Sequence, residues 1–483
     1  MRYHPKGAQP KSFRQRPDPT PEPAVTSVPG YTPSFAAPAA RAPIADVSMA
    51  TKVAFPITLL LLFSHFGRPF ERIFVGWHIP AVIVGIAILL ALISGSLKQL
   101  LTPIGIAWMA LIGWMCLATP FSTWKGGSAS YILQYVSLWV PVLVLVAHTA
   151  RSAKSVIWIT SVVGLACIFF ILTGIENGDR LSASGTFGNS DDVALLGGYA
   201  IPFIILFGMR FPHALVRYPI ILAGSSYLLI TVGRTATRTA LLAIPAMLAI
   251  YFFRSKGMQK VGIVVTAIAG IALSLLLLPS RSLERLATIV DALHIEDMSQ
   301  REIGGDEALA SASERRSLSR DALLMVQSNP LFGVGAGQFS EYRFSTLHRT
   351  YINSHNTLLQ IAAESGAPAV LFYLFFLFSI VRTLLRIRKL LKSTSHPDRV
   401  MIGHITTALE AALAYFVTCA LFMTCDRHPH QFVIAGLAIA TEQLLLRWAE
   451  QTRTGIQPAP RGQLLMVPSL PFSQPAIVNR IAQ

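Results

Sequence analysis

Apolar residues in this chain come in long, nearly unbroken runs, separated by short polar intervals. Such windows lie at 48–66, 77–95, 101–119, 130–149, 155–174, 193–209, 215–233, 237–253, 261–279, 366–384, 401–423 and 430–448. A helix needs about 20 mainly apolar residues to cross the hydrocarbon layer, because no water is there to satisfy its backbone. The pattern therefore predicts an all-α polytopic membrane protein of about twelve transmembrane helices, with one long interval between the ninth and tenth. The segment 1–47 holds ten prolines between Pro5 and Pro43 and no apolar run, so it cannot bury a core and is expected to be a disordered tail. It is also too long and too polar ahead of the first apolar run for a cleaved signal peptide. The end of the chain, 449–483, with Pro458, Pro460 and Pro468, reads the same way. The expected organisation is thus a tail at 1–47, nine helices over 48–279, a loop at 280–365, three helices over 366–448 and a second tail.

Composition supports this reading. Hydrophobic residues make up 53% of the chain and charged ones only 13%, whereas soluble proteins carry about 25% charged residues. A net charge of +16 would suggest nucleic acid in a soluble protein, but no basic patch here is interleaved with stacking aromatics. Cationic cytoplasmic loops explain the charge better. With the N-terminus inside, the inner segments hold 25 Lys and Arg and the short outer ones seven, the eight in 280–365 being set aside. Long loops cross the membrane largely regardless of charge. Both termini are therefore expected in the cytoplasm and the long loop outside. Cys116, Cys167 and Cys419 lie within apolar runs, and no disulfide framework or CxxC metal site is present.

The seven outer cations are Arg68, Arg72, Lys125, Arg180, Arg234, Arg238 and Arg427. Each has two explanations, pairing with a nearby carboxylate or binding an anionic ligand. In Thr231-Val-Gly-Arg-Thr-Ala-Thr-Arg-Thr239 no acidic residue is near. Arg234 and Arg238, four apart, would share one face of a continuous helix end and present two guanidinium forks to a phosphate or pyrophosphate. Arg180 opens a Gly-, Ser- and Asn-rich segment that ends in Asp191 and Asp192. That pair reads first as the N-terminal cap of the next helix and second as a carboxylate pair for catalysis or metal.

Within the long loop, 280–306 is polar and expected to be mobile, and 308–328 has a helical pattern with Leu318, Ala322 and Met325 on one side. Asn329-Pro-Leu-Phe-Gly-Val-Gly-Ala-Gly337 follows. Its glycines either bring backbone N–H groups to an anion or simply make a tight turn. In Asn353-Ser-His-Asn356, Ser354 is placed to cap a helix running from His355 to Ser365 and ended by Gly366 before Pro368. A histidine at such a helix start stays neutral, as a general base requires, although a structural histidine is the everyday alternative. Glu364, nine residues on, is about half a turn away from His355 and is expected to orient the helix end instead. The run Cys425, Asp426, His428, His430 has metal-ligand residue types but no recognised spacing. Glu410, inside the eleventh window, is either a structural carboxylate or part of a proton relay.

These segments together resemble the O-antigen ligase and polymerase family of bacterial envelope glycosyltransferases. The resemblance rests on Arg180 to Ala194 with Gly185-Thr-Phe-Gly-Asn189, on Thr237-Arg-Thr-Ala240, and on Asn329-Pro-Leu-Phe-Gly-Val-Gly335 leading to His355-Asn356 and Glu364-Ser-Gly366. It covers roughly residues 50 to 450. One departure is Ser190-Asp191-Asp192, where many members have Asn-Pro-Asn. The resemblance implies a GT-C-like fold in the bacterial inner membrane with a periplasmic site. The reaction would move a glycan from undecaprenyl pyrophosphate to a glycan or lipid A core acceptor. His355 would be the catalytic residue, Arg180 and Arg238 would bind the pyrophosphate, and Asn356, Glu364, Gly335 and Gly337 would support the site. Arg234 joins the pyrophosphate ligands on the helix-face argument alone. No cofactor is implied, and the outer loops lack an Asp-x-Asp metal motif. A transporter or flippase with Glu410 as the ion-coupling group is the reading from a different class, although the chain shows no repeat symmetry of the kind such proteins carry.

Overall fold

A computed structural model describes residues 49–72, 78–177, 181–183, 189–235, 237–277 and 305–454. The expected disorder of 1–47, the expected mobility of 280–304, Arg180 and nearly all of the second tail lie outside the described residues. Each of the twelve apolar windows overlaps a helix among the described residues. In chain order these are α1 (Met49–Gly67), α2 (Ile79–Ile93), α3 (Pro103–Ala118), α4 (Lys125–Thr149), α5 (Ala153–Gly174), α6 (Ser190–Gly208), α7 (Ala214–Arg234), α8 (Arg238–Arg254) and α9 (Met258–Leu277). The interval then contributes α10 (Gly305–Ser328) and the short α11 (Phe339–Ser345), and α12 (Thr357–Ser393), α13 (Arg399–Ala420) and α14 (His430–Arg453) complete the bundle. Among the described residues nine helices are long and apolar enough to cross a membrane, while α2, at 15 residues, is shorter.

Several helices contain proline: Pro56 in α1, Pro141 in α4, Pro202 in α6, Pro219 in α7 and Pro245 in α8. Neighbouring helices can satisfy the freed backbone groups, which is why membrane helices tolerate them. Helices α6 and α14 form the centre of the bundle, and α7 faces outward with most of its apolar surface uncovered. Aromatic rings fill the space between α3, α4 and α14, where Trp139 stacks on Phe432 at 5.5 Å and Trp108 packs on the same ring at 5.1 Å. Two tyrosines pin α6 to its neighbours through main-chain carbonyls. Tyr199 donates to His430 O at 2.9 Å and Tyr415 to Ala194 O at 2.8 Å. Gly198 admits the Tyr415 ring, because a β-carbon there would overlap it.

Between α5 and α6 a two-stranded antiparallel hairpin pairs Ile175 with Ala183 and Asn177 with Leu181. The helical pattern read at 308–328 matches α10, whose Leu318, Ala322 and Met325 are buried. With Val334, Phe339 and Ala363 they form a second, smaller core beside the bundle.

At the ends of α8 and α12 remote from the loop, Glu410 of α13 receives two arginines. Arg254 Nε and Nη2 donate at 2.7 and 3.0 Å, and Arg388 Nε and Nη2 at 3.1 and 3.0 Å. Of the two readings left open for Glu410, this geometry favours the structural one. Two guanidinium forks ligate the carboxylate from both sides.

Candidate active site

The site is built on a break in α12. Gly366 has φ +82° and ψ 173°, a backbone state essentially confined to glycine, so the helix stops and restarts. Pro368 follows and supplies no N–H for the Glu364 carbonyl, and the Ala367 N–H is diverted to Pro330 O at 2.9 Å. Two helix carbonyls are thereby left without their usual donors. The glycine segment supplies replacements: Val334 N donates to Ala363 O at 2.8 Å and Gly335 N to Glu364 O at 2.9 Å. Ala363, Glu364 and Gly366 are buried against 330–335, and a β-carbon at Gly366 or Gly333 would overlap the facing backbone.

The Glu364 carboxylate completes this unit. It accepts from Gly337 N at 2.8 Å, from Phe339 N at 3.3 Å and from Gln360 Nε2. The turn reading of the glycine segment is thus the one the geometry favours, since Gly333 N also closes on Asn329 O at 2.9 Å. Its amides do reach a carboxyl group, but that group belongs to the chain, and burial pushes its pKa up to about 7. Gly335 and Gly337 thus both meet Glu364 through their amides, Gly335 at its main-chain carbonyl and Gly337 at its side-chain carboxyl group. The other face of the segment is held by α4 and the turn before it, with Thr123 Oγ1 on Val334 O at 2.8 Å and Ser128 Oγ on Ala336 O at 3.0 Å.

His355 stands just before the first half of α12, and here the structure corrects the sequence reading. The helix begins at Thr357, and its cap is Asn356, whose Oδ1 accepts from Leu359 N at 2.9 Å. Ser354 instead hydrogen-bonds across the turn, donating to Asn356 O at 2.8 Å. An asparagine in extended conformation reaches the first-turn amide better than a serine two residues earlier. His355 itself has φ +56°, an unusual state for a non-glycine residue and one that clusters at functional sites. The turn is fixed from the connection between α13 and α14, because Asn356 Nδ2 donates to Leu421 O at 2.8 Å and Thr357 Oγ1 to Met423 O at 2.7 Å. The half-buried ring is held below its ordinary pKa. Burial disfavours the imidazolium and Arg315 opposes it, against the pull of Asp191 and Glu314. Neutrality thus comes mainly from burial.

Asp191 connects the remaining pieces. Its Oδ1 accepts from Thr237 Oγ1 at 3.1 Å, and its Oδ2 lies 3.7 Å from Arg315 of α10. The cap of α6 is Asn189, which accepts from Asp192 N at 2.8 Å, so Asp191 and Asp192 occupy the first turn rather than the cap. Asn189 precedes the turn and can reach back to the free amides, whereas Asp191 is turned onto α8 and the loop helix. Arg238 is the first residue of α8, next to Thr237, and is half-buried. Arg234 is exposed and closes α7. The two arginines therefore sit on different helices across a three-residue break, and the shared-face argument for Arg234 fails. Arg315 is the residue that sequence reasoning missed. Its signal was only a charge pair, Arg315-Arg316, in a loop set aside from the charge count.

In the 425–430 run Asp426 and Arg427 share one aromatic partner and His430 has another. Tyr131 donates to Asp426 Oδ2 at 2.8 Å, Arg427 lies over the Tyr131 ring at 4.1 Å, and His430 sits edge-on to Tyr199 at 4.4 Å. His428 Nε2 is 3.7 Å from Asp192, but burial, with Arg68 and Arg427, pushes its pKa down to about 3, so the pair is not an ion pair at neutral pH.

Fold and site together define a polytopic helical membrane protein with a histidine, a buried carboxylate and arginines gathered at one end of the bundle. Residues 223–374 match the family model described as O-antigen ligase. That match supports the resemblance to the O-antigen ligase and polymerase family that the motifs carry. The matched region runs from within α7 into the second half of α12. It takes in Arg234, Arg238, Arg315, the glycine segment, His355 and Glu364, and leaves Asp191 outside. No curated protein matches the chain significantly.

Proposed function

We propose that the chain transfers an oligosaccharide or polysaccharide from undecaprenyl pyrophosphate to an acceptor sugar at the periplasmic face of the bacterial inner membrane, with both termini cytoplasmic. The observation that carries this reading is the neutral, half-buried His355, held in a strained turn beside Asp191 and Arg315. An acceptor hydroxyl oxygen attacks the anomeric carbon as His355 takes its proton on an imidazole nitrogen. The anomeric carbon–oxygen bond breaks, and the electron pair leaves with the lipid pyrophosphate. The step inverts the sugar centre without a covalent glycosyl-enzyme.

Arg238 and Arg180 hold the departing phosphates, with Arg315 nearby and Arg234 at the exposed rim. Fixed guanidiniums neutralise the developing charge in the way a divalent ion does elsewhere, so transfer proceeds in EDTA. The acceptor class we favour is a lipid A core sugar, as in a ligase. The test is deletion of the gene and electrophoresis of the surface polysaccharide, with complementation by wild type and by His355→Ala. A bare core with polymer stranded on the carrier is the expected ligase phenotype. Core plus a single repeat would make the chain a polymerase, and full rescue by His355→Ala would overturn the mechanism.

A further inference from the structure

The end of α11 and the stretch after it border an open cavity of about 890 Å³ at the surface, lined by Arg343, Phe344, Ser345, His348, Arg349 and Thr350. Small-molecule sites are typically about 300–1,000 Å³. The wall is a built polar structure. Asp321 of α10, fully buried, accepts from Arg343 Nε at 2.8 Å and also from the Arg349 guanidinium. Arg343 donates in addition to Thr350 O and Oγ1 at 2.7 and 2.8 Å, and Arg349 to Ser317 Oγ at 3.1 Å. Two arginines thus share one carboxylate, which leaves one positive charge on the cluster. Arg343 is buried, whereas the Arg349 side chain is 42% exposed and keeps donors free for a ligand. Arg316 and Arg320, both exposed, flank Ser317 and Asp321 on α10 and add to the positive charge, against the half-buried Glu341. Phe344, 59% exposed, gives the cavity an aromatic ring at the surface, and His348 is exposed with φ +52°.

Exposed aromatic rings stack on the C–H faces of sugars, and a guanidinium fork matches a phosphate or carboxylate. Four residues separate Thr350 from His355, so five Cα–Cα steps give a reach of at most about 18 Å. A single oligosaccharide can therefore lie in the cavity and present a hydroxyl to His355. We propose that this cavity is the acceptor subsite, and that the acceptor is an oligosaccharide bearing an anionic substituent, a phosphate monoester or a uronic carboxylate. The proposal rests on the glycosyl-transfer reading above.

The test uses the full chain in lipid nanodiscs and three fluorescent trihexoses: one neutral, one with a terminal phosphate monoester and one with a terminal uronate. At least one anionic probe binds about tenfold or more tighter than the neutral one, and its affinity falls with added salt. The tighter of the two anionic probes identifies the substituent. Arg349→Gln and Phe344→Ala each weaken that binding about tenfold, and Arg349→Lys restores part of it. Phe344 is exposed, so its replacement leaves the fold intact. Equal affinity for the neutral and anionic probes, or unchanged binding in both variants, overturns the proposal. The His355→Ala protein binds the probe as wild type does. Probe binding without any transfer by wild type would therefore count against the transfer reading, and transfer without probe binding against the subsite alone.

Discussion

Replacing Gly366 by alanine tests whether the break in α12 and the glycine segment are one structural unit. At φ +82° and ψ 173° an alanine is strained by about 1–3 kcal/mol. Its β-carbon would overlap the Leu331 carbonyl, a main-chain group with little room to move. Relieving the overlap separates the two segments and puts at risk the bonds from Val334 N, Gly335 N and Ala367 N, each worth about 1 kcal/mol net. The expected loss is about 4–6 kcal/mol, at the upper end for a single substitution. Trp114 reports on this junction directly. Its indole N–H donates to Ser365 O at 2.9 Å and its ring stacks on Phe332 at 5.5 Å. Tryptophan emission followed through thermal or denaturant unfolding in detergent should show an earlier transition and an altered native Trp114 signal. Gly113→Ala, on the same helix as Trp114 and with nothing near its added β-carbon, is the control and should be neutral or mildly stabilising. A Gly366→Ala protein with unchanged emission and a stability within about 1 kcal/mol of wild type would refute the account of the junction.

Further outcomes follow from the same contacts. Asp191→Asn keeps an acceptor for Thr237 but removes the charge facing Arg315 and His355, so transfer should fall about tenfold. Asp191 raises the His355 pKa, so its loss lowers that pKa further, and the acid limb of the kcat/KM profile moves to lower pH. In the wild type that limb should already lie below the ordinary imidazole value of about 6.5, with activity lost as pH falls through it and His355 gains a proton. Glu410→Ala strands Arg254 and Arg388 and should cost about 3 kcal/mol in thermal unfolding, the lower end for a broken buried pair because Arg254 is partly exposed. Transfer by the surviving folded fraction should be unaffected, which a proton-coupling role for Glu410 would not allow.

The helices were legible because lipid leaves a helix no alternative to a long apolar run, and each of the twelve windows overlaps one. The loop helix was legible for the same reason in miniature, since Leu318, Ala322 and Met325 keep helical spacing toward one core. What failed was local continuity. Arg234 and Arg238 read as one face only if the helix continues through 235–237, and it does not. His355 read as a helix start because serine is a good cap, yet Asn356 takes that place. The long-range partners were invisible. Nothing in the spacing of Gly337 and Glu364 says that the amide of one meets the carboxylate of the other, or that Asp191 meets Arg315 across more than a hundred residues. The co-occurrence of the glycine segment with Glu364-Ser-Gly366 was visible, and its cause is the pair of carbonyls freed by Gly366 and Pro368.

The central claim is that His355 is the base of a glycosyl transfer. Its most direct test incubates purified wild type and His355→Ala, matched for folding by tryptophan emission, with an undecaprenyl-pyrophosphate-linked glycan and an acceptor core oligosaccharide, and follows acceptor glycosylation by mass spectrometry. The account predicts glycosylated acceptor and released undecaprenyl pyrophosphate with wild type, and a rate at least about a hundredfold lower with His355→Ala. Equal rates from the two proteins would contradict it.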